Sequence, residues 1–163
     1  MRNVLNFFSI IIIHTLLLSS CGFNALYKAE NNIGQLDAIE ISPIASMEGA
    51  ELYRYLSDLL PLKREPLYIL KISFVNTESP IAIQKNSDVI RENVSHIVYY
   101  ELQDIRTGKV ATSGKFKQMT SYNSTFYPYA SYVEREHTTK NLTKYSSEEI
   151  RRRLILYFKS QSK

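Results

Sequence analysis

Four stretches whose apolar residues alternate with period two, and two longer ones whose apolar residues recur at helical spacing, predict an α+β fold. Taken in chain order they read strand, helix, three strands, helix. A sheet with one apolar face needs a cover, so this order implies a two-layer sandwich of about four mostly antiparallel strands, covered on one face by two helices. The first twenty residues stand apart from this pattern and have the composition of an export signal.

Arg2 gives a basic start, an interrupted apolar stretch runs from Val4 to Leu18, and Ser19 and Ser20 precede Cys21. A spanning helix needs about 20 strongly apolar residues, which this segment does not supply. Leu18-Ser19-Ser20-Cys21 has the form of a bacterial lipobox. In that class the thiol is diacylated, the chain is cut just before it, and the new α-amino group takes a third acyl chain. At about 0.8 kcal/mol per buried methylene one fatty chain binds reversibly, whereas three together hold permanently. Residues 1–20 are therefore read as a signal peptide that is removed, 21–35 as an acylated tether, and 36–163 as one domain. Cys21 is the lipidation site. Gly22, where an aspartate commonly retains lipoproteins at the inner membrane, implies transport to the outer membrane with the domain facing the periplasm.

After the tether, "LDAIEISPI" alternates with Ile39 and Ile41 inward and stops at Pro43, a short first strand. From Gly49 the period changes: Leu52, Tyr53, Leu56, Leu59 and Leu60 form the stripe of a helix that ends before Pro61. "PLYILKISFV" returns to period two, with Tyr68, Leu70, Ile72 and Phe74 on one face and Lys71 and Ser73 on the other; a loop containing Pro80 is expected next. From about Val89 to Asp104, Val94, His96, Val98, Tyr100 and Leu102 alternate against Asn93, Ser95, Ile97, Tyr99 and Glu101. "DIRTGKV" supplies a turn in which Gly108 can take a positive φ. The returning strand, Lys109 to about Tyr122, places Val110, Thr112, Gly114 and Phe116 on one face and Lys115, Lys117 and Met119 on the other, making a long hairpin. "SYNSTFYPYA" is expected as a tyrosine-dense connection. Beyond it Leu142, Ser146, Ile150, Leu154 and Phe158 fall every four residues. Ser146-Ser147-Glu148-Glu149 is either a capping box that starts a separate helix or a polar turn within one helix from about Ala130 to Ser160. The second is preferred, with a middle weakened by Thr138, Thr139 and Thr143.

Composition narrows the function classes. The net charge of +4 is too small to argue for nucleic acid, but suits anionic glycolipids or phosphorylated sugars. Twelve tyrosines and no tryptophan favour amphipathic contact surfaces. Beyond the signal only His96 and His137 remain, and the sole thiol is consumed by lipid. Among five glycines there is no phosphate loop, and the chain has no HExxH or GxSxG. No enzyme, metal or cofactor is expected. His96 reads as a satisfied core histidine, and His137 as a solvated helix position.

The residues also resemble a family. "CGFNALY" at the acylation site is similar to the start of LptE-type lipopolysaccharide-assembly lipoproteins, whose pattern is Cys-Gly-Phe-x-Pro-Leu-Tyr. Asp104-x-x-Thr107-Gly108, "SYN" at 121–123, "YA" at 129–130 and "IRRRLILYF" at 150–158 match in order, as in the α-proteobacterial branch. Ala25 stands where the family commonly has proline, which loosens a bend. The resemblance implies a plug subunit that sits inside the LptD-type outer-membrane β-barrel, supports its assembly, and binds lipopolysaccharide on its way to the outer leaflet. Lysine and arginine would then pair with its phosphates and acidic sugars; Lys115, Lys117 and Arg91 are the candidates. Tyr122, Tyr127, Tyr129 and Tyr132 are the candidates for barrel contact. The Arg151-Arg152-Arg153 triplet spreads round a helix and is less suited. Two other readings stay open: a lipid-anchored periplasmic carrier with a cavity between sheet and helices, and a structural envelope lipoprotein that binds a glycolipid or cell-wall component.

Overall fold

The computed structural model describes residues 34–82, 89–125 and 127–161; Cys21 and most of the expected tether lie outside them. A single turn of 3-10 helix, Leu36–Ala38, leads into β1 (Ile39–Ile41). Then follow α1 (Met47–Leu59), β2 (Tyr68–Ala82), β3 (Val89–Asp104), β4 (Val110–Thr125) and α2 (Pro128–Gln161). The sheet order is β1-β2-β3-β4, with β1 parallel to β2 and the other pairs antiparallel. This is the expected β-α-β-β-β-α sandwich, with α2 continuous through Ser146–Glu149.

β3 shows why the alternation folds as it does. Val94, His96, Val98, Tyr100 and Leu102 are all buried under the helices, while Tyr99 on the opposite face is exposed. In β2 Leu70 is buried, and Tyr68, Ile72 and Phe74 pack partly buried against the same core. α1 contributes Leu52, Leu56 and Leu60, and α2 contributes Ile150, Leu154, Ile155 and Phe158. At roughly 25 cal/mol per Å² of apolar surface removed from water, this layer supplies most of the fold's driving force. Ser46 caps α1 by accepting from the Gly49 N–H at 3.1 Å, so the helix starts two residues before Gly49. Tyr53, expected in its apolar stripe, is exposed, because it lies about 100° round the helix from Leu52.

Two glycines have distinct reasons. Gly108 has φ +67° and closes the β3–β4 turn, where its N–H donates to Asp104 O at 2.8 Å. Gly114 faces Tyr100 across the ladder; a Cβ there would lie 2.6 Å from the Tyr100 hydroxyl oxygen, so the missing side chain makes room for the ring.

Three local expectations are corrected. Pro80 lies within β2 rather than in a loop. Ser42 N–H donates to Leu70 O at 2.9 Å, so Leu70 turns its backbone groups toward β1. The register with β3 is unbroken from Leu70 to Pro80, an even number of residues later, so the Pro80 nitrogen points the same way. β1 pairs only with Tyr68–Leu70, so Pro80 faces an open edge and removes no ladder bond. Val110 is exposed, not inward: Leu102 pairs with Thr112 and Gln103 with Val110, leaving Ala111 as an extra residue that reverses the alternation. "SYNST" continues β4 to Thr125 rather than opening the connection, because Tyr122 and Asn123 pair with Glu92 and Arg91.

Candidate interaction surfaces

The helices cover one face of the sheet, and the other face carries the first candidate surface. Lys115 and Lys117 are exposed there on β4, as the alternation predicts. Lys115 Nζ sits 5.2 Å from the centre of the Tyr99 ring, a cation–π distance. On β2, Lys71 Nζ donates to Gln103 Oε1 at 2.8 Å. Lys71, Ser73, Tyr99, Glu101, Ser113 and Lys115 line a shallow groove of about 540 Å³. Lys71 and Tyr99 were not singled out from sequence. Their face was legible, but not the register that sets Ser73 opposite Tyr99 and Tyr99 opposite Lys115.

Arg91 does not join this group. Its register partner is Asn123, whereas Lys117 faces Ile97; six strand residues separate the two rungs, roughly 20 Å. Arg91 Nε donates to Ser121 Oγ at 3.0 Å instead.

The tyrosines divide. Tyr127, Tyr129 and Tyr132 are exposed at the start of α2, Tyr129 by 79%. Tyr122, expected with them as a contact residue, is only 7% exposed and packs with Val94 and Leu142. Its hydroxyl donates to Glu92 Oε2 at 2.8 Å. Burial, and then the Glu92 hydrogen bond, push its pKa up to about 12. Tyr122 is a core residue because its β4 position turns it under α2. Strand parity carries the signal: the expected strand reaches Tyr122, which falls on the same face as Thr112, Gly114 and Phe116.

His96 is 2% exposed and lies against Phe74, with ring centres 5.3 Å apart. The expected satisfied histidine is not found: its Nε2 has no hydrogen-bond partner among the described residues. Burial lowers its pKa, partly opposed by the charge of Glu48. His137 is exposed, as expected, with Asn141 Nδ2 3.4 Å from its ring nitrogens. Of the arginine triplet, Arg152 and Arg153 clasp Glu149 at 2.7 Å, and Arg153 lies 4.9 Å over the Phe116 ring. The hydrogen bond from Arg152, then that from Arg153, hold the Glu149 carboxyl below its usual range against its partial burial. These two arginines brace the fold.

Among the described residues no group of three or more His, Cys, Asp or Glu could hold a metal, and no helix is long and apolar enough to cross a membrane.

No family model matches the chain. It is 44% identical over 152 residues to the uncharacterized protein RP188 of Rickettsia prowazekii (strain Madrid E), covering 93% of this chain and 97% of that one. Three solved structures share the fold. A candidate lipoprotein from Caulobacter crescentus CB15 superposes with a TM-score of 0.60 at 18% identity, over 82% of this chain and 98% of that one. Rare lipoprotein B from Shewanella oneidensis gives 0.54 at 15%, over 76% and 100%. A minor lipoprotein from Acinetobacter baumannii gives 0.53 at 10%, over 72% and 91%. At these identities the likeness establishes the fold.

Proposed function

The chain belongs to the family of the Rickettsia protein RP188, and on that premise we propose that it is an LptE-type lipoprotein of the outer membrane. In this reading Cys21 carries the acyl anchor and the domain faces the periplasm and the lumen of an LptD-type β-barrel. The protein supports assembly of that barrel and helps deliver lipopolysaccharide to the outer leaflet. It catalyses no reaction and needs no cofactor; its work is done by two surfaces. The observation that carries the proposal is the coincidence, on one chain, of a lipobox cysteine with a fold shared by rare lipoprotein B and two other proteins described in lipoprotein terms.

A plug needs a compact body whose outer surface suits a polar lumen. The bare sheet face, with Lys115 and Lys117 exposed beside Tyr99, offers cations to phosphate-bearing glycolipid. The exposed Tyr127, Tyr129 and Tyr132 offer aromatic area to the barrel wall. A carrier would need space between sheet and helices, and Leu52, Leu56, Leu70, Val98, Ile150 and Leu154 fill the middle of that interface.

The deciding experiment is purification of the acylated chain after mild detergent extraction. A barrel of far greater mass should accompany it, and recovery of the chain alone would reject the proposal. Within that complex, reversing Lys115 and Lys117 to glutamate should weaken lipopolysaccharide binding by about tenfold, roughly 1.4 kcal/mol, and barrel association by much less. Equal losses would mean that the two surfaces are misassigned. Cys21→Ser should leave an unprocessed precursor at the inner membrane, read by membrane fractionation.

A further inference from the structure

The end of the domain opposite the exposed tyrosines has an unusual surface. Three segments converge there through backbone hydrogen bonds. Lys63 and Arg64 N–H donate to Asp37 O at 2.9 and 3.2 Å, Leu67 N–H donates to Ala38 O at 2.8 Å, and Ile105 N–H donates to Leu67 O at 3.0 Å. The loop 61–67, the turn after β3 and the entry to β1 are thus tied into one platform. The platform holds apolar side chains out of the core: Leu62 is 49% exposed, Leu67 55% and Ile105 43%. Beside them in the chain stand exposed Lys63 and Arg64, which follow Leu62, and Arg106 and Lys109, which follow Ile105. The acidic groups nearby are Glu65, which is exposed, Asp37, which is partly buried, and Asp104, whose carboxylate is turned into its own loop and accepts from Thr107 N–H at 2.8 Å.

The chain enters the domain at this same end. Arg64 lies against Gly34, whose hypothetical Cβ would be 3.3 Å from Arg64 Nη1. From Cys21 to Gly34 the chain spans at most about 45 Å when fully extended. The far ends of β3 and β4 lie roughly 50 Å further along the strands. An acyl anchor at Cys21 therefore holds the platform end within about 45 Å of the bilayer, whereas the tyrosine end is tied to the anchor only through the length of the domain. Aliphatic tips that enter the boundary of headgroups and acyl chains, with lysine and arginine heads beside phosphate, are the chemistry that binds a membrane interface.

We propose that this platform is a membrane-docking surface: Leu62, Leu67 and Ile105 enter the headgroup layer of the leaflet that holds the acyl anchor, and Lys63, Arg64, Arg106 and Lys109 meet its phosphates. The proposal rests on the reading of Cys21 as the anchor. It makes the domain stand on the bilayer at a fixed end instead of swinging on its tether.

The test uses the full acylated chain. With the Cys21 thiol in thioether linkage, an introduced cysteine is the single free thiol. Bimane is placed at Leu67→Cys, at Ile105→Cys or, as the far-end control, at Tyr129→Cys. Each variant is reconstituted into vesicles of phosphatidylethanolamine and phosphatidylglycerol with brominated acyl chains. Quenching by about half at positions 67 and 105, with little at 129, is the expected result. A chain that floats with the vesicles while 67 and 105 remain unquenched overturns the docking and leaves the anchor intact. The same holds if 67 and 105 are shielded only after a barrel is added, which makes the platform a protein contact. A chain whose Cys21 proves unmodified by mass, and which does not float, overturns both.

Discussion

The half of the sandwich next to the β3–β4 turn and the half at the tyrosine end are built differently. In the first, Leu70, Val98, Leu102, Ile150 and Leu154 are almost wholly excluded from water and belong to one cluster that joins α1, α2 and all four strands. In the second, the described residues form a separate small cluster of Val94, Tyr122 and Leu142. Polar contacts do the rest there: Glu78 with Arg135 at 2.8 Å, Glu92 with Tyr122 at 2.8 Å, and Thr77 with Ser95 at 2.7 Å. Between the halves lies a polar band. Leu142 belongs to the upper cluster with Val94, and Ile150 to the lower with Val98. Four helical residues and two strand residues both advance about 6 Å, which puts Ser146 level with His96. Ser146 Oγ, His96 Nε2 and the Oδ1 of its β2 neighbour Asn76 are buried without hydrogen-bond partners among the described residues. Buried polar atoms left unpaired cost stability, so the division is energetic as well as geometric. The base is thus held mainly by apolar packing, and the tyrosine end by a small cluster and polar contacts.

The largest effect that would break this contrast comes from cavities. Leu154→Ala should lower global stability by about 3–5 kcal/mol, whereas Leu142→Ala should cost nearer 2 kcal/mol and act mainly on the upper half. Denaturant unfolding, together with amide exchange resolved by strand, measures both; equal losses spread over the whole sheet would erase the distinction. Gly114→Ala drives a methyl into the Tyr100 ring and should cost about 1–3 kcal/mol. Combining it with Tyr100→Leu should recover part of that loss in a double-mutant cycle.

Acid should act on the polar band. Burial holds the folded-state pKa of His96 below its unfolded value, so as pH falls the unfolded chain takes up the proton first. This contribution to stability is full above the unfolded value of about 6.5 and is lost progressively as pH drops from there toward the folded value. His96→Gln should flatten that part of the stability profile between pH 7.5 and 5.5, and an unchanged slope would remove His96 as its source. The smallest effect concerns the half-exposed Glu78–Arg135 pair: a double-mutant cycle should return about 0.2–1 kcal/mol, falling with added salt.

Much of the fold was legible because burial imposes a period on the chain. The span from Val89 to Asp104 follows from five alternating inward residues, and the continuous α2 from an apolar stripe spaced by four. The misses have local causes that alternation does not encode. A single extra residue at Ala111 turned Val110 outward, and an open edge let Pro80 remain in a strand. The site was less legible than the fold. The exposure of Lys115 and Lys117 followed from strand parity, but their neighbours Lys71 and Tyr99 come from other strands and need the register. Composition groups Tyr122 with Tyr127, Tyr129 and Tyr132, but its inward strand parity and its burial beside Val94 and Leu142 separate it from them. The platform of Leu62, Leu67 and Ile105 is assembled by backbone hydrogen bonds between segments roughly 26 to 38 residues apart, for which the sequence carries no local sign.

Pro80 has a consequence beyond its own strand. The side of β2 that β1 leaves uncovered is a template for any extended peptide, including another copy of the same chain. A visiting strand can continue the ladder from Ile72 as far as Glu78, but at the next outward rung the pyrrolidine nitrogen offers no hydrogen. Growth of stacked fibrils along this margin is thereby cut short, and a single ring guards the chain against copies of itself.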